Sequence, residues 1–335
     1  MRRAAAGATP LSRSDAEALA LASQVARLYF DREMTQVQIA SRLGISRFRV
    51  ARLLEYARQQ GLVRIEFRDI PSQDPEMARA IEERWGIDLC VVAAGDAHAD
   101  GIAPSLARLA ASVIADLIGS DDVIGVAWGS TLAAVVAELP SRTSPGIHVV
   151  QLAGNSGRVE RTQNPGELAR ALADRLGATC HALFAPAFVE SPTLRDALLR
   201  EPEIRATVQL FDRVSLAVVG IGSYAGRKGS NSSLVQARVL DDEDLARLLA
   251  EGAIGDLVLY PFDASGRFVA DKLADRAMAV SQAQLARIPR VIAVAGGVLK
   301  APAIAAALAT GVIKMLVTDA PAAERLLMLG GRPAR

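Results

Sequence analysis

Between residues 89 and 317 the chain carries eight short apolar runs, most of them separated by an amphipathic helical pattern. The runs are 89–93, 123–127, 148–152, 182–184, 215–219, 256–260, 291–295 and 314–317. Apolar periodicity predicts helices over 105–118, 132–139, 165–176, 192–200, 242–251, 302–310 and 320–329. Strands that are short and apolar throughout are covered on both faces, and their alternation with helices calls for an α/β fold with a mostly parallel sheet. Ligands of such sheets bind beyond the carboxyl ends of the strands, where loops enter helices.

A different pattern precedes these runs. Residues 34–60, MTQVQIASRLGISRFRVARLLEYARQQ, read as a helix, a tight turn and a second helix. Val37, Ile39, Ala40 and Leu43 share one face of the first helix. Gly44 ends it, since the turn needs a left-handed residue and glycine adopts that conformation without steric cost. Ile45 plugs the angle and Ser46 stands at the N-cap position. The second helix buries Val50, Leu53, Leu54 and Ala57 and exposes Arg47, Arg49 and Arg52. That is a helix-turn-helix, whose second helix presents its N-terminal side chains to the major groove of DNA. A plain helical hairpin with a solvated arginine face shares the amphipathicity. The conjunction of Gln36, Gln38, small Ala40, the turn and the arginines favours a DNA reader. Ser46, Arg47 and Arg49 are candidates for base or phosphate contacts, Arg52 for phosphate, and Gln36 for the backbone across the groove.

Residues 61–67 alternate as the wing strand of a winged helix does, and the two prolines of 69–75 mark a linker. The expected organisation is a disordered arm over 1–14, a winged helix-turn-helix over 15–68, a linker over 69–75, and a ligand-binding and oligomerisation domain over 76–335.

A net charge of +1 over 335 residues argues against a nucleic-acid binder until its distribution is seen. Residues 1–68 carry twelve arginines against six acids, and the remainder 26 basic against 31 acidic residues. A basic head on a mildly acidic body suits a DNA-reading module joined to a different domain. Cys90 and Cys180 lie in or beside apolar runs without a CxxC partner or a histidine cluster, as buried reduced thiols do, so neither a metal nor a cofactor is expected. No apolar run reaches the ~18–20 residues of a membrane span and no secretion signal opens the chain, which points to the cytoplasm.

Four strand-end segments carry ligand-binding chemistry. Gly129-Ser130-Thr131 runs from a strand into a helix capped by Ser130 or Thr131, and free amides with hydroxyls there suit an anion, although many such turns are only caps. Gly296 and Gly297 precede Lys300, one of only four lysines, at the entrance of a helix opened by Pro302. Asp256, after Gly255, places a carboxylate where a loop passes into a strand. Gly220-Ile221-Gly222-Ser223 is a further candidate loop.

Together these residues resemble the sorbitol-operon regulator (SorC) family of bacterial sugar-responsive transcription factors. The resemblance runs from about Ala18 to Leu327 and rests on the reader at 34–63, GVAWGSTL (125–132), VVQLAGNSG (149–157), TQNPGELARALA (162–173), APAFVESPTLRDALLREPEI (185–204), VVGIGS, GAIGDLVLYPFDASG and RVIAVAGGVLKAPAIAAALATGVIKMLVTD. It implies a C-terminal domain with the sugar-phosphate isomerase and deaminase fold, retained for binding, and dimers or tetramers on palindromic operators. It implies an effector that is a phosphorylated sugar, sugar alcohol or related metabolite. Its phosphate would rest on Gly129, Ser130 and Thr131 with help from Lys300, and its hydroxyls on Asp256. Gly154, Asn155, Gln163 and Asn164 would lie in a loop closing over it. The chain departs from the family at Val298 and Leu299, where acidic or polar residues are frequent, and at Tyr260-Pro261-Phe262-Asp263, which replaces a more aromatic run.

The expected function is therefore a ligand-switched regulator of a carbohydrate or polyol operon. The alternative is a sugar-phosphate isomerase or deaminase with an appended DNA-binding head, which needs a placed general base. Of the three histidines, His148 and His181 fall in or beside apolar runs and His98 in a polar stretch, with no acid–histidine constellation in view.

Overall fold

The computed structural model describes residues 13–30, 32, 34–63, 72–94, 103–157, 163–225, 232–236, 239–240, 242–269 and 271–329. The chain divides into two compact units, Met1–Asp69 and Ile70–Arg335.

The first unit contains α1 (Arg13–Phe30), α2 (Gln36–Leu43) and α3 (Arg47–Gln59). Ala22, Val25 and Ala26 of α1 meet Ile39 of α2 and Val50, Leu54 and Ala57 of α3 in one small core. Leu43, Ile45 and Leu53 pack around it half-buried. Val37, expected on the inward face of α2, is instead 61% exposed. It precedes Ile39 by two residues, about 200° around the helix, so burying both would need a wider apolar stripe than this short helix has. Residues 1–12 of the expected disordered arm and the wing strand from Arg64 onward lie outside the described residues, while Arg13 and Ser14, assigned to the arm, already begin α1.

The second unit is built on a sheet of nine strands among the described residues: β1 (Leu89–Ala93), β2 (Val123–Val126), β3 (His148–Gln151), β4 (Thr179–His181), β5 (Leu216–Ser223), β6 (Ala253–Leu257), β7 (Tyr260–Asp263), β8 (Arg290–Val294) and β9 (Met315–Asp319). The order is β1-β9-β8-β5-β2-β3-β4, with every neighbouring pair on this path parallel. Helices α4 (Pro75–Trp85), α5 (Pro104–Leu117), α6 (Ser130–Glu138), α7 (Pro165–Leu176), α8 (Pro192–Leu198), α9 (Pro202–Gln209), α10 (Ser233–Gln236), α11 (Asp242–Ala250), α12 (Asp271–Ala274), α13 (Gln282–Arg287), α14 (Ala301–Ala309) and α15 (Ala320–Leu329) complete it. The strands are almost continuously buried, as an apolar sheet covered on two faces must be.

From β2 the chain moves outward to β3 and β4, and from β5 it moves the other way to β8 and β9. The strand order therefore reverses between the adjacent strands β2 and β5. Such a reversal leaves a crevice at the carboxyl ends of the two strands, because the loops leaving them turn to opposite sides.

At the opposite end of the same strands, one carboxylate ties three of them together. Asp122 accepts from the Gly119 amide at 2.7 Å, the Ser215 hydroxyl at 2.6 Å and Arg290 at 2.5 Å. Burial alone would raise its pKa, but Ser215, Gly119 and Arg290 outweigh it and hold the carboxyl below its usual range.

Several expectations are corrected here. Residues 182–184 do not form the strand; β4 is Thr179–His181, and Phe184 is 65% exposed. The run 256–260 is not one strand but the middle of a hairpin, with Leu257 paired to Tyr260 across Val258 and Leu259. Its turn carries no glycine or asparagine, since Val258 itself takes φ of 62°, which left the reversal invisible in an unbroken apolar run. Gly220-Ile221-Gly222-Ser223 is strand rather than loop, because β5 runs past the sheet and pairs antiparallel with β6. Ser72 to Pro75, assigned to the linker, already belong to the sheet unit. Gln73 bridges to Ala93, and Asp74 caps α4 by accepting from the Glu76 and Met77 amides at 3.1 and 3.0 Å.

Candidate functional site

Each unit carries its own candidate site. In the first, α2 opens on a capping box: the Gln38 amide donates to Thr35 Oγ1 at 3.3 Å and the Thr35 amide to Gln38 Oε1 at 2.9 Å. Gly44 ends α2 at φ of 65°, and the Ile45 amide donates back to the Ala40 carbonyl at 3.1 Å. Ser46 then caps α3, its Oγ accepting from the Arg49 amide at 3.2 Å. Its oxygen is thus engaged in starting the helix, which limits what it offers to a base. Arg47, Arg49 and Arg52 are exposed, and Gln36 is half-buried at the start of α2. The recorded ion pair of this helix, Arg58 with Glu55 at 3.8 Å, leaves the earlier arginines without a carboxylate partner among the described residues. The sequence reading missed Phe48, whose ring stands 83% exposed between Arg47 and Arg49.

In the second unit a narrow cleft lies where the strand order reverses. Ala127 to Thr131 form one wall, Gly220 to Gly222 another, and Ser233, Asp256, Val258 and Lys300 close it. The N-cap of α6 is Gly129, not Ser130 or Thr131, at φ of 114° and with no side-chain cap. The correction matters, because the first amides of α6 stay uncovered and the positive end of its dipole opens on the cleft. The φ of 114° at position 129 favours glycine, and a Cβ there would also stand 2.5 Å from the Ser233 hydroxyl across the cleft.

Asp256 is 4% exposed and lies near the end of β6, not where a loop enters the strand. Its carboxylate lies where a Cβ of residue 222 would be, 2.1 Å from that position, so Gly222 makes room for it. Burial pushes the carboxyl up to about 6, while Ser232, Lys300 and the neighbouring Tyr224 favour the charged form less strongly. The Tyr224 phenol is pushed upward by burial and then by Asp256. Asp256 Oδ2 is buried without a hydrogen-bond partner. Lys300 donates to the Ile221 carbonyl at 3.2 Å, and burial lowers its pKa against the pull of Asp256 and Asp319. Trp128 braces the hairpin turn, its indole N–H donating to the Val258 carbonyl at 3.0 Å.

Six of the residues singled out for ligand binding therefore meet in one cleft: Gly129, Ser130, Thr131, Gly222, Asp256 and Lys300. Gly154, Asn155, Gln163 and Asn164 do not line it. Asn155 accepts from Gln151 and from the Gly166 amide and donates to the Leu183 carbonyl, while Asn164 caps α7 and donates to the Ser156 carbonyl. A Cβ at 154 would press on the Pro186 carbonyl at 2.2 Å. These residues frame the end of β3.

Asp319, not foreseen, holds the other glycine loop. Its carboxylate accepts from the Gly297 amide at 3.0 and 2.8 Å and from the Ala322 amide at 3.0 Å, fixing the turn that presents Lys300. An acid at the end of an apolar run and just before a helix was the available signal. His148 and His181 face each other from β3 and β4 at 2.9 Å and do not line the cleft, and His98 lies outside the described residues. Burial, then Glu82, pushes the Cys90 thiol up to about 12, as suits a core residue. No group of three or more histidines, cysteines or acids that could hold a metal occurs among the described residues. None of their helices is long and apolar enough to cross a membrane.

The sugar-binding family model, described as "Putative sugar-binding domain", matches residues 71–328, and a sigma-70 region 4 model matches 22–60. The chain is 30% identical over 307 residues to the sorbitol operon regulator of Klebsiella pneumoniae, covering 91% of this chain and 96% of that protein. It is 27% identical over 315 residues to the deoxyribonucleoside regulator of Bacillus subtilis, covering 93% and 99%. The crystal structure of the full-length K. pneumoniae sorbitol operon regulator superposes with a TM-score of 0.70 at 27% identity, over 93% of this chain and 99% of that one. With a helix-turn-helix reader in one unit and a sugar-binding fold in the other, the chain belongs to the SorC family of bacterial transcriptional regulators.

Proposed function

We propose that the chain regulates a carbohydrate or polyol catabolic operon from the cytoplasm, with its operator affinity switched by a phosphorylated sugar or sugar alcohol in the cleft between β2 and β5. The observation that carries this reading is the pairing of opposite chemistries there: an uncapped helix N-terminus with hydroxyls, and a buried carboxylate oxygen without a donor. A phosphate sits on the free amides of α6 with the hydroxyls of Ser130 and Thr131, and Lys300 adds its charge. A sugar hydroxyl donates to Asp256 Oδ2, adding to the support that Ser232 and Tyr224 give the carboxylate. Gly222 keeps the space for that carboxylate, and Gly154, Asn155, Gln163 and Asn164 support the adjoining loop.

On DNA the chain acts as a homodimer or homotetramer on a palindromic operator, placing recognition helices in half-sites about one turn (~34 Å) apart. Arg47 and Arg49 contact bases or phosphates, Arg52 adds charge, Ser46 orders the helix start, and Gln36 reaches the backbone. Effector and operator are then linked reciprocally: each changes the affinity of the other by the same factor.

A thermal-shift screen of sugars, polyols and their phosphates tests the reading, since a ligand selective for the folded state raises the melting temperature by mass action. The phosphorylated member of a matched pair gives the larger shift, and Lys300→Ala abolishes it. Equal shifts by both members, or a Lys300→Ala response like that of the wild type, would sink the assignment of the phosphate to this cleft. One observation favours a catalytic reading instead: a carboxyl pushed up to about 6 suits a general base. Turnover of any screened sugar phosphate by purified protein decides for it.

A further inference from the structure

The outward face of α3 distributes its side chains in a way that its arginine count conceals. Val50, Leu54 and Ala57 are buried and define the inward side of the helix. At about 100° per residue, Phe48 and Arg52 fall on the opposite side, one turn apart. Arg47 and Arg49 each lie about 100° from Phe48, one on either flank. The ring of Phe48 is thus the central feature of the exposed face, and its 83% exposure is the largest among the exposed large apolar residues that the structure describes. A free phenylalanine ring on a solvated helix is unfavourable. Its place at the second position of a recognition helix, between cations, gives it an occupant.

We infer that Phe48 reads DNA sequence directly, packing its ring against the C5-methyl group of a thymine in the major groove, with Arg47 and Arg49 on the bases or phosphates that flank it and Arg52 adding charge. The occupant follows from charge and polarity. Three arginines around one apolar ring suit a surface that is anionic at its borders and carries an isolated methyl group within, and the thymine edge is where duplex DNA offers one. The inference rests on the reading of this chain as an operator-binding regulator and adds the base that its recognition helix selects.

The test uses the full-length protein and a duplex enriched by it from a random-sequence library. Each thymine is replaced singly by uracil, which removes the methyl group and leaves the hydrogen-bonding edges intact. The wild type loses about fourfold in affinity at one thymine of each half-site, the worth of one apolar carbon (~0.8 kcal/mol). Phe48→Ala binds the thymine duplex about that much more weakly and does not distinguish uracil from thymine at that position. If no uracil substitution matters to the wild type, or if Phe48→Ala keeps the same thymine preference, the inference is overturned. Failure to enrich any duplex would strike instead at the operator-binding reading on which it rests.

Discussion

The two candidate sites differ in how they are made. The DNA-reading face is local: one helix of thirteen residues, started by Ser46 and anchored by three buried residues, presents its cations to solvent. The candidate effector cleft is assembled from segments more than 170 positions apart, with charged groups buried against one another. A site of the first kind is tuned by surface chemistry and ionic strength. One of the second kind couples function to stability and to pH, because its groups give up hydration on folding whether or not a ligand is present.

The largest expected break in that contrast comes from two glycine substitutions. At Gly222 an added Cβ would stand 2.1 Å from the Asp256 carboxylate, between paired strands that cannot part, so Gly222→Ala should cost about 3 kcal/mol and abolish the ligand response. At Gly44 nothing lies within 4 Å, and only the left-handed backbone resists a side chain. Gly44→Ala should therefore cost about 1–2 kcal/mol and leave the ligand response intact. Denaturant melts and thermal shifts of both variants check the pair.

The next effect is in pH. Because the folded value for Asp256 lies near 6, above the ordinary ~3.9, its contribution to the unliganded fold is fully present below pH ~4 and is lost as pH rises through about 6. Asp256→Asn should remove a decline of roughly 2–3 kcal/mol between pH ~4 and ~7. A hydroxyl is accepted more strongly by the ionised carboxylate than by the neutral acid, so effector affinity in the wild type should fall as pH drops below about 6. Asp122 has the opposite sign: its carboxyl is held low, so the stability it adds is present above pH ~3.9 and is lost on further acidification.

The smallest effects on stability belong to the head. Ser46→Ala removes the α3 cap and should cost about 1 kcal/mol in thermal melts of the full chain. Arg47→Ala and Arg49→Ala should leave melting unchanged, yet each should lower the slope of log affinity against log salt by about 0.9 if its guanidinium neutralises a phosphate. An unchanged slope with a relaxed base preference would move that arginine from the backbone to a base edge.

The same contrast explains what could be read in the sequence. The helix-turn-helix itself was legible nearly to the residue, because capping, turn chemistry and helical spacing are local rules; helix α1, the exposure of Val37 and the exposed ring of Phe48 escaped. In the sheet unit the parallel strands other than β4, and most helices, were visible as apolar runs and periodic segments. The β6–β7 hairpin was not, since Val258 turns the chain with a residue that gives no turn signal. Ligand-type residues could be named from their loops, but their meeting depends on strand order, which no local pattern carries. Thus Lys300, Asp256 and Gly129 converge while Asn155 and Asn164 serve the frame of β3. Asp319 went unnoticed because a carboxylate that orders glycine amides looks, in sequence, like any acid before a helix.

The central claim is that occupancy of the β2–β5 cleft changes the grip of the head on DNA. It is tested most directly by measuring the affinity of the full chain for its selected duplex, by fluorescence anisotropy at fixed salt, with and without the ligand that gives the largest thermal shift. The account predicts a change of at least about fivefold, the lower end of ordinary allosteric coupling, absent in Lys300→Ala although that variant binds the duplex normally without ligand. An affinity for DNA that is the same with the cleft filled or empty would contradict it.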